Sequence, residues 1–319
     1  MSGVPLGGGV EFDLIREIIA AMGDAIGPVG DDTAAIPDGA GSLVVSTDAS
    51  VEDVHFKLAW LSVEEIGWRA AASALSDLAA AAATPIGILA AVTVPHDAAP
   101  GATIELMRGV GAAARAVGAR VLGGDLTAGS QWSIAITVFG RSARPMSRAG
   151  ARPGDGIWVT GRLGGARAAL ESWLAGGQPV AAARSAFAHP VPRIAAARWL
   201  AERGATAMMD LSDGVAGDAL HLAAASGVRL DIELERLPLH SAVARAADLV
   251  GESPGEFAAA GGEDYELLLT MPQEFSAAAQ FNEEQGIALT QIGNVSSGGT
   301  ACLTLRGQNL QVEGFRHRL

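Results

Sequence analysis

Carboxylates recur along this sequence in one kind of setting, beside a glycine or where an apolar run ends. Five clusters share it: Gly30-Asp31-Asp32, Ser46-Thr47-Asp48, Asp77 within Leu75-Ser-Asp-Leu78, Gly123-Gly124-Asp125, and Asp210-Leu-Ser-Asp213-Gly214. Side chains at strand ends, glycine turns and helix termini can converge on a cleft. Magnesium takes oxygen ligands and commonly bridges one or two carboxylates to substrate phosphates. A site with several such ions must draw its aspartates from distant segments, and this spread meets that requirement.

Each cluster taken singly has a plainer explanation. Asp beside Gly is ordinary turn chemistry, and Asp213 is placed to cap the helix after it. Asp77 fits such an explanation least. A carboxylate within a run of Ala and Leu needs a partner if buried, and a cation is the obvious one. Ser73 lies four residues earlier on the same helical face and joins the same polar strip. The glycines at 123–124 and 161–165 are candidates for offering backbone N–H groups to phosphate. Gly261-Gly-Glu-Asp-Tyr-Glu266 reads either as a charged turn or as a device that puts Glu263 on a substrate donor. His55, in Val54-His-Phe56, is either a satisfied strand histidine or a phosphate or substrate contact.

The elements that must position these residues alternate between strand and helix. A short helix is expected over 11–22, a buried strand over 42–46 ending at Thr47-Asp48, and a helix from Ser62 to about Ala83. Ser62 is its N-cap, with Glu65 completing a capping box. Strands follow at 87–94, 120–122 and 132–139, with a helix over 103–117. The stretch 141–153, rich in Pro, Gly and Arg, is the expected boundary between domains 1–145 and 146–319. The second half carries strands at 157–160, 207–209, 228–234, 266–271 and 287–295 with helices between them. Adjacent strands without intervening helices favour an α+β fold of mixed sheets, with helices packed on one face, over a doubly wound sheet. Neither G-x-x-x-x-G-K-[ST] nor a G-x-G-x-x-G after a strand occurs, which disfavours the common nucleotide-binding folds.

Bulk composition narrows the function classes. The 319 residues include 35 acidic and 22 basic side chains, a net charge of −13, so nucleic acid and anionic membranes are not expected partners. The single Cys302 forms no intramolecular disulfide. With no secretory pattern or spanning segment evident, a cytoplasmic protein is expected.

Taken in order, the clusters resemble the thiamine-monophosphate kinase family of the aminoimidazole ribonucleotide synthetase-like superfamily. The likeness rests on Gly-Asp-Asp-Thr-Ala-Ala (30–35), Ser-Thr-Asp (46–48), Val-His-Phe (54–56), Leu-Ser-Asp-Leu-Ala (75–79), Gly-Gly-Asp (123–125), Ser-Arg-Ala-Gly-Ala-Arg-Pro-Gly-Asp (147–155), Asp-Leu-Ser-Asp-Gly (210–214) and Gly-Gly-Glu-Asp-Tyr-Glu (261–266). It runs from about residue 11 to the C-terminus, and Ala128 stands where the family often has an arginine.

The resemblance implies ATP-dependent phosphorylation of thiamine monophosphate to thiamine diphosphate, by direct in-line transfer assisted by several magnesium ions. By position, Asp32, Ser46, Thr47, Asp48, Asp77, Asp125, Asp210 and Asp213 would hold metal, with Asp77, Asp125 and Asp210 the catalytic carboxylates. Gly124, Asp125, Arg148 and Ser212 would contact ATP, while His55, Glu263 and Phe315 would face the thiamine substrate. The family's homodimer, joined through sheet edges of the N-terminal domains, is implied as well. The chemistry is coherent in itself. A phosphate monoester is already nucleophilic, so the main obstacle is repulsion between phosphates, which metal-bridged carboxylates relieve.

Superfamily relatives that rely on a reactive cysteine near the N-terminus or in a C-terminal tail are disfavoured, because Cys302 is in neither place and the chain ends His317-Arg-Leu319. Aminoimidazole ribonucleotide synthetase activity stays open, as does a non-catalytic cation- or nucleotide-binding protein.

Overall fold

A computed structural model describes residues 5, 10–22, 30–310 and 314. Phe315, expected to face the substrate, lies outside the described residues.

The first half comprises α1 (Val10–Met22), β1 (Ala34–Asp38), β2 (Gly41–Val51), α2 (Val63–Ala80), β3 (Thr84–Pro95), α3 (Ala102–Ala116), β4 (Arg120–Gly129) and β5 (Ser133–Ser142). Its strands form one sheet in the order β1-β2-β5-β3-β4, antiparallel except for the β3–β4 pair. Along β5 the residues Ile134, Ile136 and Val138 are buried while their neighbours are not, the period-2 pattern of a half-covered strand. The buried residues of α2 include Ala70, Ala71, Ala74, Leu75 and Leu78, in one core with those of β5. Small side chains bring α2 and α3 together. A Cβ on Gly67 would meet the Leu106 carbonyl oxygen at 2.0 Å, and one on Gly109 would meet that of Glu64 at 1.9 Å. Only glycine permits that approach. Ser62 caps α2 with Glu65 reciprocating, as the sequence predicts.

Residues 143–155 connect to the second half. It holds β6 (Gly156–Thr160), α4 (Gly165–Leu174), α5 (Ala181–Ala188), α6 (Ile194–Glu202), β7 (Ala207–Asp210), α7 (Val215–Ser226), β8 (Arg229–Glu233), α8 (Val243–Val250), α9 (Pro254–Ala259), β9 (Leu267–Met271), α10 (Ala278–Gln285), β10 (Leu289–Ser296), β11 (Ala301–Leu305) and β12 (Gln308–Leu310). Its seven-stranded sheet has the order β12-β11-β8-β10-β6-β9-β7. The architecture is α+β with mixed sheets, as expected. No helix among the described residues is long and apolar enough to cross a membrane.

Two strands differ from expectation in ways that matter for the site. β2 continues to Val51, so Ser46 to Asp48 lie within a strand and not at its end. The Gly123-Gly124-Asp125 cluster, expected as a turn, lies inside the edge strand β4. A Cβ on Gly124 would meet the Ala90 carbonyl oxygen at 1.8 Å, so its glycine is required by the close pairing of β4 with β3.

Candidate active site

A cleft of about 1210 Å³ runs between the two halves. The C-terminal end of α2 supplies Asp77 to one wall, and β2 supplies Asp48. The turn before β1 supplies Asp31 and Asp32, and the β7–α7 junction supplies Asp210, Ser212 and Asp213. Carboxylate oxygens of Asp32, Asp77 and Asp210 lie within 4.8 Å of one another. The Ser46 hydroxyl donates to Asp77 Oδ2 at 2.5 Å.

Three carboxylates so close repel one another unless protonated or bridged by a cation. Desolvation first, then the charges of Asp210, Asp48 and Asp32, hold Asp77 well above the usual carboxylate range. Asp210 is pushed up to about 7, by burial first and then by Asp32. Arg148 offsets part of this charge. Its Nε donates to Asp32 Oδ1 at 3.1 Å, its Nη2 pairs with the same oxygen, and its backbone N–H donates to Asp31. Asp32 Oδ2 remains buried with no hydrogen-bond partner. An orphaned buried carboxylate oxygen, two further carboxylates and a serine hydroxyl form an all-oxygen donor set suited to a hard divalent cation.

Of the remaining expected residues, Arg148, His55 and Glu263 also line the cleft. His55 Nδ1 accepts the Val51 N–H at 3.1 Å. Three residues do not join the cluster. The Thr47 hydroxyl, one residue out of phase with Ser46 and Asp48, contacts Thr137 Oγ1 at 3.1 Å. Within this chain Gly124 and Asp125 are on exposed β4, three strands from β2, or about 14 Å at ordinary strand spacing.

The Gly261–Glu266 motif is not a solvated turn. Glu263 pairs with the buried Arg69 of α2. Asp264 accepts the Gly164 N–H at 2.7 Å, and the Gly165 and Ala166 N–H groups also stabilise its ionised form, although burial pushes it up to about 8. The Gly164 and Gly165 N–H groups are among those expected to meet phosphate, and that reading is corrected: an internal carboxylate already occupies the helix start. Glu266 is buried on Arg193, with Thr160 donating at 2.6 Å.

Asp218 and His221, both buried in α7, line the cleft and are missing from the sequence-derived set. Asp218 Oδ2 accepts the Asp213 N–H at 3.2 Å, and His221 is lowered to about 4 by burial and the nearby Arg148. Toward Arg69, about two turns of α2 from Asp77, the cleft is lined by Trp60 and Phe187, while Tyr265 stands closer to Asp48 and Asp210. An acidic, metal-suited end next to an aromatic end is a fit for a phosphorylated, ring-bearing ligand.

Comparison with known proteins adds an independent line. Residues 30–142 match the AIR synthase related protein, N-terminal domain, and residues 152–305 match its C-terminal domain. The chain is 32% identical over 311 residues to thiamine-monophosphate kinase of Aquifex aeolicus, covering 96% of this chain and 97% of the relative. It is 34% identical over 246 residues to the thiamine-monophosphate kinase of Mycobacterium tuberculosis, covering 76% and 74% respectively. A solved structure described as AaThiL complexed with AMPPCP and TMP superposes with a TM-score of 0.86 at 31% identity, covering 97% of each chain. Hydrogenase maturation protein HypE in complex with ATP, at 19% identity and a TM-score of 0.72, shares the fold.

Proposed function

This chain belongs to the thiamine-monophosphate kinase family within the AIR synthase-related proteins and is a kinase, and from that premise we propose that it transfers the γ-phosphoryl group of ATP to thiamine monophosphate, giving thiamine diphosphate and ADP. The observation that carries this reading is the cluster of Asp32, Asp77 and Asp210 in a cleft that also holds aromatic walls. Asp32, Asp48, Asp77, Asp210 and Asp213 would hold magnesium, with Ser46 orienting Asp77. Magnesium held by these residues would supply neutralisation of phosphate charge, the main obstacle to joining two anionic groups. The chain's own residues then fix geometry and exclude alternatives. Arg148 holds Asp32 in place and puts a positive charge beside nucleotide phosphates, Ser212 lines the nucleotide side, and His55 and Glu263 face the acceptor. Because the acceptor phosphate is itself the nucleophile, no protein base is needed.

Homodimer formation completes the site in this reading. The sheet of the first half leaves Ile36, Leu89, Leu122 and Leu126 exposed, and β4 is an exposed edge. Exposed apolar edges are ordinarily covered by another chain. Joining β4 of one copy to the β1 edge of the other, next to β2, would bring Asp125 and Gly124 toward the other copy's Asp48 cluster, where their own chain cannot place them. The expected result is complementation. Asp77→Asn and Asp125→Asn each give little turnover, while re-equilibrated 1:1 mixtures recover about a quarter of wild-type activity, since half the dimers carry one intact site. A mixture no more active than its components contradicts a shared site.

The direct test of function is conversion. The purified protein with ATP, magnesium and thiamine monophosphate should form thiamine diphosphate and ADP one for one. A folded protein that binds nucleotide yet makes no product would be a binding protein.

A further inference from the structure

Arg69, Ser73 and Asp77 stand at four-residue intervals on α2, and all three line the cleft. Eight residues at 1.5 Å of rise separate Arg69 from Asp77 by about 12 Å along the helix. Asp77 marks the metal-suited end, and Arg69 sits at the aromatic end.

Arg69 reaches from the first half of the chain into the second. Its side chain is only 5% exposed and pairs through Nη2 with Glu263 Oε2. Nη1 donates to the Phe187 carbonyl at 2.5 Å, and the guanidinium lies over the Phe187 ring, 3.8 Å from its centroid. A planar guanidinium held on a carboxylate, a carbonyl and a ring is a rigid fork, which a lysine cannot reproduce.

Glu263 needs such support. Its φ is +66° and that of Tyr265 is +49°, left-handed conformations that cost energy for non-glycine residues. The loop backbone is tied down by Glu263 N–H to the Ser212 carbonyl at 2.7 Å and Tyr265 N–H to that of Leu211 at 2.9 Å. Among the described residues, Arg69 is bound to the carboxylate through Oε2, which leaves Oε1 for a ligand donor. Glu263 keeps 30% of its side chain exposed, so a ligand in the cleft can reach it.

We infer that Arg69 is a positioning residue for acceptor specificity: it fixes the Glu263 carboxylate so that Oε1 accepts from a donor-bearing, cationic heterocycle while the acceptor's phosphate lies toward Asp77. This rests on the kinase reading above and adds the residue that sets its acceptor subsite. Ordered attachment to Arg69 restricts the Glu263 rotamer before the substrate arrives, which improves acceptor binding and leaves nucleotide binding untouched.

The experiment compares wild type with Arg69→Met, Arg69→Lys, Glu263→Gln and the Arg69→Met/Glu263→Gln double variant. Steady-state kinetics are taken against each substrate in turn, and calorimetry measures thiamine monophosphate binding without nucleotide. Arg69→Met should raise KM and Kd for thiamine monophosphate about tenfold, with kcat and KM for ATP changed by no more than about twofold. Arg69→Lys should fall between, and the double variant should be no worse than the more impaired of the two single variants, because the two residues act as one unit. If Arg69→Met does not fold, Arg69→Lys and Glu263→Gln carry the comparison. Equal increases in KM for both substrates, a loss confined to kcat, additive effects, or an unchanged KM in Glu263→Gln would overturn the inference alone. A folded wild type without turnover would overturn the kinase reading as well.

Discussion

Asp77→Asn should lower kcat on the order of 10³-fold, the scale seen when one preorganised electrostatic contact to a transition state is removed. The melting temperature of the metal-free protein should hold or rise. Asn keeps the shape of Asp and can still accept the Ser46 hydroxyl, so packing at the end of α2 is preserved. It cannot supply the negative charge that attracts a divalent cation. The stability sign follows from the raised pKa of Asp77. A carboxyl whose pKa is higher in the folded state than in the unfolded one costs stability once pH exceeds its unfolded value, and Asn escapes that cost. Loss of activity with retained stability therefore separates a functional carboxylate from a structural one. Near-normal turnover, or a melting temperature several degrees lower, would make Asp77 a structural residue.

The same electrostatics predict a pH-dependent effect of metal. Asp210 moves from an ordinary 3.8 to about 7 on folding, and Asp77 and Asp218 shift in the same direction. Between those two values the folded state holds the Asp210 proton that the unfolded state has lost. The Asp210 contribution to metal-free stability should therefore fall as pH rises from 3.8 to about 7 and level off above that. A divalent cation bridging the ionised carboxylates removes this cost, and binding to the folded state adds stability by mass action. The magnesium-induced rise in melting temperature should thus be clearly larger at pH 8 than at pH 5, and Asp210→Asn should flatten the difference. Asp264, pushed up to about 8, contributes a similar fall without metal dependence, because its carboxylate is engaged at the start of α4. Glu65 acts oppositely. Arg184 lowers it to about 2, so its contribution is complete above its ordinary 4.5 and is lost as pH falls toward 2. An equal magnesium shift at both pH values would contradict a metal site built on Asp77 and Asp210.

The sequence reveals much of this site where the chemistry is local. Asp77 is conspicuous because it interrupts an apolar helix, Asp32, Asp210 and Asp213 announce themselves beside turns and a strand terminus, and Asp48 follows the apolar run of β2 although the strand continues past it. Other signals in the sequence are just as local. Arg69 is one turn before Ser73 on the strip that leads to Asp77, and Asp218 and His221 interrupt the apolar helix α7 three residues apart. Other features depend on contacts distant in sequence. Nothing near Gly164 reveals that Asp264, a hundred residues later, will fill its N–H groups. Glycines normally punctuate strands, so Gly123-Gly124 reads as a turn until the close approach of Ala90 supplies a reason for Gly124. Thr47 belongs by sequence with Ser46 and Asp48, yet strand alternation sends its hydroxyl to Thr137. Short strands such as β1, β11 and β12 have little pattern to read, being set by the partners they pair with.

The central claim is that the acceptor's own phosphate attacks ATP across the aspartate cluster, and oxygen labelling tests it most directly. Thiamine monophosphate carrying ¹⁸O at its non-bridging phosphate oxygens is converted with unlabelled ATP and magnesium, and the product is read by ³¹P NMR. Phosphate attack predicts thiamine diphosphate with ¹⁸O in the bridge between its two phosphorus atoms and in the non-bridging positions of the inner one. The terminal phosphorus should carry no labelled non-bridging oxygen. Product with an unlabelled bridge would mean that the original phosphate was lost and a diphosphoryl group transferred in its place, contradicting the proposed chemistry.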